Sequence, residues 1–181
     1  HFSTLNPLPM TTDQDALFEQ NLRTLMEQLA ARLGASGQML AFAESCTGGL
    51  LSKLATDLAG SSAWFERGLV TYSNAAKQEL LGVPAQVIET HGAVSEPCAR
   101  AMVTGLIERA PVDWAVAVTG IAGPGGGSVD KPVGTVWIAW MRRGQSAESR
   151  CFRFPGGRSK VRALTVKTSL EHLLDLISRA A

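Results

Sequence analysis

The sequence is short of cysteine, of aromatic residues and of net charge, and each shortage closes off a class of protein. Its three cysteines, Cys46, Cys98 and Cys151, are odd in number, far apart and free of any C-x-x-C pair. Such spacing supports neither a disulfide framework nor a zinc site, so reduced thiols in a cytoplasmic protein are the plain expectation. A net charge of +1 offers no general attraction to nucleic acid or to an anionic membrane. No apolar run approaches the roughly 20 residues of a membrane span, and no basic-then-apolar leader opens the chain. Histidine, the commonest general base near neutrality, occurs only as His1, His91 and His172. His1 lies in a stretch, His1 to Pro9, that reads as an expression remnant ahead of a native start at Met10. His91 precedes a glycine at an expected helix end, and His172 falls in an expected terminal helix, so both read as structural.

What is present is an ordinary globular balance, 45% hydrophobic and 18% charged over 181 residues. That is enough for one well-buried domain, here residues 10–181, and short for two. Thr12 with Asp15 reads as a capping start, and Phe18, Leu22, Met26, Leu29 and Leu33 recur at helical spacing until Gly34. Met39 to Ala43 is an apolar strand, followed by a polar glycine turn and a helix carrying Leu51, Leu54, Ala55 and Leu58. A second strand spans Gly68 to Tyr72, with Ser73 as the N-cap of a helix that ends at Gly82. Pro84 opens another short helix, and Ser95-Glu96-Pro97 starts one with a stripe of Ala99, Val103, Leu106, Ile107 and Ala110. Strands follow at Trp114 to Val118, Val133 to Met141 and Ser149 to Phe154, and a last helix begins near Ser159. Helices alternating with strands, then a late hairpin, predict a three-layer α/β/α sandwich with a mixed, mostly parallel sheet.

The turn Glu44-Ser45-Cys46-Thr47-Gly48-Gly49 is the first candidate for chemistry. A serine placed after a buried strand and before a helix has backbone N–H groups near its hydroxyl, which suit a phosphate or an oxyanion. The two glycines allow close approach of a ligand to the backbone. Helix capping by Ser45 and Thr47 is the structural alternative. A serine nucleophile needs a base, and with histidine set aside lysine is next. Lys77 follows the second strand; on residues alone a solvated surface lysine is its simpler reading, because a base role requires burial or a cationic neighbour. Tyr72, the only tyrosine, stands at the same strand end. The loop Thr119 to Gly127 has neither the G-x-G-x-x-G spacing of a dinucleotide site nor a P-loop ending, and reads as a pocket wall or a mobile connection. Between Ser149 and Leu170 lie six basic residues and no acidic one. Among them Arg158 and Arg162, near a helix start, suit a phosphate clamp or a solvated face.

Taken together, six ordered blocks resemble the CinA C-terminal domain family. They are Ala43-Glu44-Ser45-Cys46-Thr47-Gly48-Gly49, Gly60-Ser61-Ser62-Ala63-Trp64-Phe65, Gly68-Leu69-Val70-Thr71-Tyr72-Ser73-Asn74, His91-Gly92-Ala93-Val94-Ser95-Glu96, Thr119-Gly120-Ile121-Ala122-Gly123-Pro124 and Lys131-Pro132-Val133-Gly134-Thr135-Val136. The length resembles the stand-alone, nicotinamide-nucleotide amidase type of that family. The resemblance implies an α/β/α sandwich of the anticodon-binding kind and hydrolysis of the carboxamide of nicotinamide mononucleotide, without metal or other cofactor. It also implies Ser45 as nucleophile, Tyr72 and Lys77 as its assistants, and homo-oligomers. The expected partner is a small-molecule nucleotide substrate, with no nucleic acid and no membrane. From loop position, amides of Thr47, Gly48 and Gly49 would hold the oxyanion, Thr119 and Gly120 would line the pocket, and Arg158 or Arg162 would take the 5′-phosphate. Cys46 is the rival nucleophile, and a non-catalytic nucleotide-binding or regulatory domain is the rival function.

Overall fold

The computed structural model describes residues 12–180, the side chain of Thr12 apart. His1 to Pro9, read above as a remnant, and the capping side chain of Thr12 lie outside the described residues. Helix α1 (Thr12–Ser36) runs past Gly34, where its pattern suggested a stop. Gly34 has open space around it, so it lowers helix propensity without ending the helix. The stop comes at Gly37, whose φ of 65° is left-handed. There Gln38 N–H reaches Leu33 O at 3.0 Å and Gly37 N–H reaches Gly34 O at 3.4 Å, closing the helix end with paired carbonyls.

Strand β1 (Leu40–Glu44) is buried along its whole length. Helix α2 (Leu50–Thr56) stops short of Leu58, and a 3-10 turn at Ser61–Ala63 leads into β2 (Phe65–Val70). That strand starts earlier than Gly68 and ends before Tyr72. Its first half was hidden from the pattern because Glu66 and Arg67 pair with each other on a half-exposed sheet edge. Helix α3 (Asn74–Leu81) is capped as the sequence suggests, Ser73 Oγ accepting from Ala76 N–H at 3.0 Å. After α4 (Ala85–His91), Ser95 caps α5 (Glu96–Arg109) in the same way. Then come β3 (Trp114–Gly120), β4 (Thr135–Arg142), β5 (Glu148–Arg153) and α6 (Arg158–Arg179).

The sheet order is β2-β1-β3-β4-β5. β1 pairs parallel with β2 and β3, and β4 pairs antiparallel with β3 and β5, so β4 alone runs against the others. Helices α1, α2 and α6 cover one face; α3, α4 and α5 cover the other, which is the three-layer sandwich expected. The alternation of side chains along a strand sorts residues by size between the two faces. Leu40, Phe42, Val116, Val118, Ile138 and Trp140 face the first layer, whereas Ala41, Ala43, Ala115, Ala117 and Ala139 face the second. On the alanine face α5 lies directly against the central strands. His172 sits at the far side of the molecule, edge-on to Trp140 with ring centroids 4.4 Å apart and 2.7 Å from a Glu148 oxygen, a packing role in line with its structural reading. The carboxyl ends of β1, β2 and β3 and the amino ends of β4 and α6 all meet at one sheet edge. Open α/β sheets place ligands there.

Candidate active site

Strand register puts three hydroxyl residues side by side at that edge. Glu44 stands opposite Val70 on β2 and Val118 on β3. The ladders run one residue further, with Thr71 N–H bonding Glu44 O at 2.8 Å and Ser45 N–H bonding Val118 O at 3.1 Å. Thr71, Ser45 and Thr119 therefore form a row. Each lies two residues beyond Leu69, Ala43 or Ala117, so all three emerge on the alanine face, under α3 and α5. Ser45 is 8% exposed; Thr71 and Thr119 are buried. Thr119 Oγ1 donates to Ala93 O at 2.9 Å and ties the loop after α4 to the strand end. Thr71 Oγ1 is buried without a partner among the described residues.

Lys77 reaches this row from the first turn of α3. Its Nζ stands 3.0 Å from Ser45 Oγ, 2.8 Å from Thr71 O and 3.1 Å from Tyr72 O. The side chain is only 1% exposed, and among the described residues no carboxylate pairs with it. Burial holds its pKa below that of an ordinary lysine, with the neighbouring thiols of Cys98 and Cys46 opposing the shift weakly. A neutral amine has two N–H bonds and one lone pair. In that form the two strand-end carbonyls would accept the N–H bonds and leave the lone pair for the serine hydroxyl. The surface reading of Lys77 from residues alone gives way to burial, a consequence of where α3 docks.

Tyr72 meets this site through its backbone. Its carbonyl accepts from Lys77, whereas the side chain is 61% exposed and its Oη accepts from Arg158 Nη2 at 3.4 Å. The phenol has no hydrogen bond to Ser45 or Lys77. Cys46, adjacent to the serine, packs instead into the core cluster of the α1, α2 and α6 side. Burial pushes its thiol up to about 11, so it carries no thiolate near neutrality.

The turn itself is built on Glu44, a residue that sequence reasoning passed over. Its fully buried carboxylate points to the α2 side and accepts from Gly49 N–H (3.1 Å), Leu51 N–H (3.0 Å), Ser52 N–H (2.9 Å) and Ser52 Oγ (2.7 Å). The capping alternative for Ser45 and Thr47 thus fails, because Glu44 caps α2 from the preceding strand. A charged residue ending an apolar strand was the signal that could have found it. Gly48 and Gly49 have φ of 59° and 98°, two successive left-handed residues that side chains would strain. Their amides are engaged within the protein, Gly48 N–H by Ser45 O at 3.1 Å and Gly49 N–H by Glu44. Thr47 is buried, and its Oγ1 has no partner among the described residues.

Around this centre, Arg162 lies with Nε 3.1 Å from Cys46 O and Nη2 2.7 Å from Thr47 O. Arg158, one turn earlier on α6, is exposed; its Nη1 donates to Gly123 O at 3.0 Å beside the Tyr72 contact. Gly120 packs against β4, where a Cβ would come within 2.6 Å of Val136 Cγ2. The glycine loop is anchored across the edge by Lys131 Nζ donating to His91 O at 2.8 Å. Among the described residues no group of three His, Cys, Asp or Glu stands placed to hold a metal ion. No described helix is long and apolar enough to cross a membrane.

Fold and site together define an α/β sandwich with a buried amine poised on a serine hydroxyl at the carboxyl edge of its parallel strands. The chain belongs to the CinA C-terminal domain family, whose model matches residues 22–177. It is 49% identical over 156 residues to the nicotinamide-nucleotide amidohydrolase PncC of Enterobacter agglomerans, a match covering 86% of this chain and 95% of that protein. It is also 48% identical over 152 residues to a CinA-like protein of Akkermansia muciniphila. That match covers 84% of this chain but 37% of the longer relative, so the chain spans little more than a third of it. The crystal structure of the competence damage-inducible protein A of Klebsiella pneumoniae superposes with a TM-score of 0.84 at 40% identity, covering 87% of this chain and 98% of that one.

Proposed function

We propose that this protein is a nicotinamide-nucleotide amidohydrolase, converting nicotinamide mononucleotide and water to nicotinate mononucleotide and ammonia. The observation that carries the reading is the Ser45–Lys77 contact of 3.0 Å, made by a lysine whose basicity burial has lowered. The names of relatives near half identity supply the substrate class.

Neutral Lys77 takes the Ser45 proton as Oγ attacks the carboxamide carbon, and the carbonyl oxygen becomes an oxyanion. The Lys77 ammonium, held by the Thr71 and Tyr72 carbonyls, then returns its proton to the departing nitrogen as the C–N bond breaks. Ammonia leaves, and water activated by the same amine cleaves the Ser45 ester to release the carboxylate. Tyr72, which the resemblance makes an assistant of Ser45, contributes its carbonyl to Lys77, and its exposed phenol stands beside Arg158. Arg158, exposed beside that ring with donors to spare, is placed to meet the 5′-phosphate. Thr119 and Gly120 stand at the strand end beside Ser45, where the nicotinamide ring would enter.

Ammonia release from nicotinamide mononucleotide by the purified protein tests the reading. Ser45→Ala and Lys77→Ala are each expected to lose roughly 10³-fold or more, by analogy with other activated serine nucleophiles. Wild-type release no faster than that of Lys77→Ala would leave a nucleotide-binding domain without turnover. Light scattering on the same preparation tests the homo-oligomer that the family resemblance implies.

A further inference from the structure

The turn bearing the nucleophile is gripped from two directions, and the grips determine which amides are left for an oxyanion. Glu44 takes the N–H groups of Gly49, Leu51 and Ser52, so the start of α2 has no donor to offer there. Gly48 N–H is bound to Ser45 O. Thr47 N–H remains, with no acceptor among the described residues, whereas Cys46 N–H meets its own thiol sulfur. Arg162 approaches from α6, on the opposite side of the sheet from Lys77, and its guanidinium fork holds the carbonyls of Cys46 and Thr47.

A trans peptide unit is planar, and its C=O and N–H point in opposite directions. The Cys46 carbonyl shares a unit with the Thr47 N–H. With the carbonyl drawn towards α6, that N–H is directed to the other side, where the Ser45 side chain emerges to meet Lys77. The neighbouring Thr47 carbonyl, held at 2.7 Å, keeps the next unit in the same attitude.

We propose that Arg162 is a positioning residue. It orients the Cys46–Thr47 peptide so that the Thr47 amide receives the oxyanion formed at Ser45, and it does not bind the substrate phosphate. This inference rests on the amidohydrolase reading above. It separates the two arginines of α6, Arg158 serving the ligand's phosphate and Arg162 the geometry of the turn.

The experiment compares wild type, Arg162→Ala, Arg162→Lys and Arg158→Ala on nicotinamide mononucleotide and on nicotinamide riboside, which lacks the phosphate. Arg162→Ala should lower kcat/KM by roughly 10²-fold, the scale of a misdirected oxyanion donor, and by the same factor on both substrates. Arg162→Lys should not recover it, because an ammonium on a flexible stem cannot hold two carbonyls as a planar fork does. Arg158→Ala should raise KM for the mononucleotide alone. A loss in Arg162→Ala confined to the mononucleotide would overturn the proposal and make Arg162 a phosphate ligand.

A second arm separates positioning from general loss of structure. Pyridine-3-boronic acid forms a tetrahedral adduct on an active serine, whereas nicotinate mononucleotide, the product, does not. Arg162→Ala should weaken the boronate by an order of magnitude or more and leave product binding within a few-fold. Equal loss of both, or of neither, would overturn the proposal. Should wild type release no ammonia from either substrate, the amidohydrolase reading falls, and the boronate comparison still decides the role of Arg162.

Discussion

A lysine ordinarily holds its proton to about pH 10.4, far above neutrality, so a lysine base must be made by its surroundings. At Lys77 the means is burial without a countercharge, with two carbonyls holding the amine in place. The sign of the pH dependence follows. Below the folded-state pKa the amine is an ammonium and cannot accept the serine proton; above it the lone pair is available. The kcat/KM profile is therefore expected to rise with pH through a transition lying below that of a free lysine. Lys77→Arg, which stays charged, should remain inactive across the range. A profile flat on the acid side would remove Lys77 as base. The adjacent thiol provides the contrasting case, since burial pushes Cys46 up to about 11 and leaves it protonated. Cys46→Ala should retain turnover within a few-fold in the ammonia assay, and a loss comparable to Ser45→Ala would reverse the assignment. Ser45 was legible in the chain from its place between an apolar strand and a glycine turn. The burial of Lys77 was not, because a lysine in the first turn of a short polar helix reads as solvated until the helix is docked.

At the scale of elements, the short helix α2 depends on a residue outside itself. Glu44 belongs to β1, yet its carboxylate satisfies three amides and a hydroxyl at the head of α2. Glu44→Ala would leave those buried and half-buried donors unpaired, at a cost of about 3 kcal/mol given 1–3 kcal/mol for each orphaned group. Urea unfolding measures it, and a loss below about 1 kcal/mol would mean that water replaces the carboxylate. The same substitution should lower turnover, because the strand end and the helix start are the two fixed points of the nucleophile turn. Most element identities were readable from periodicity and caps: Ser73, Ser95 and Gly82 each mark a boundary the structure keeps. The misread boundaries share a cause. Gly34 is exposed and the start of β2 lies half-exposed at the sheet edge, where solvent tolerates a residue that propensity alone disfavours.

For the whole molecule, the decisive feature is the unequal size of side chains on the two sheet faces. The row Ala43, Ala117 and Ala139 is continuous across three strands in register, and α5 packs on it. Ala117→Leu would force the layers apart, with an expected loss of about 1–3 kcal/mol from overpacking. Because Thr119 lies two residues further along the same face and Cys98 of α5 stands near Lys77, that substitution should also reduce kcat. Thermal unfolding and the ammonia assay measure the two effects, and a fully active, equally stable variant would show that the alanine face is not close-packed. Sequence alone determined the α/β class, the order of elements and the serine turn, since period, caps and glycines are local properties of the chain. Tertiary structure decided everything that depends on two segments meeting. The parallel register aligned Thr71, Ser45 and Thr119, and the docking of α3 stripped water from Lys77 and placed it 3.0 Å from the serine. The docking of α6 gave its two arginines different partners, a distinction that their spacing in sequence does not contain.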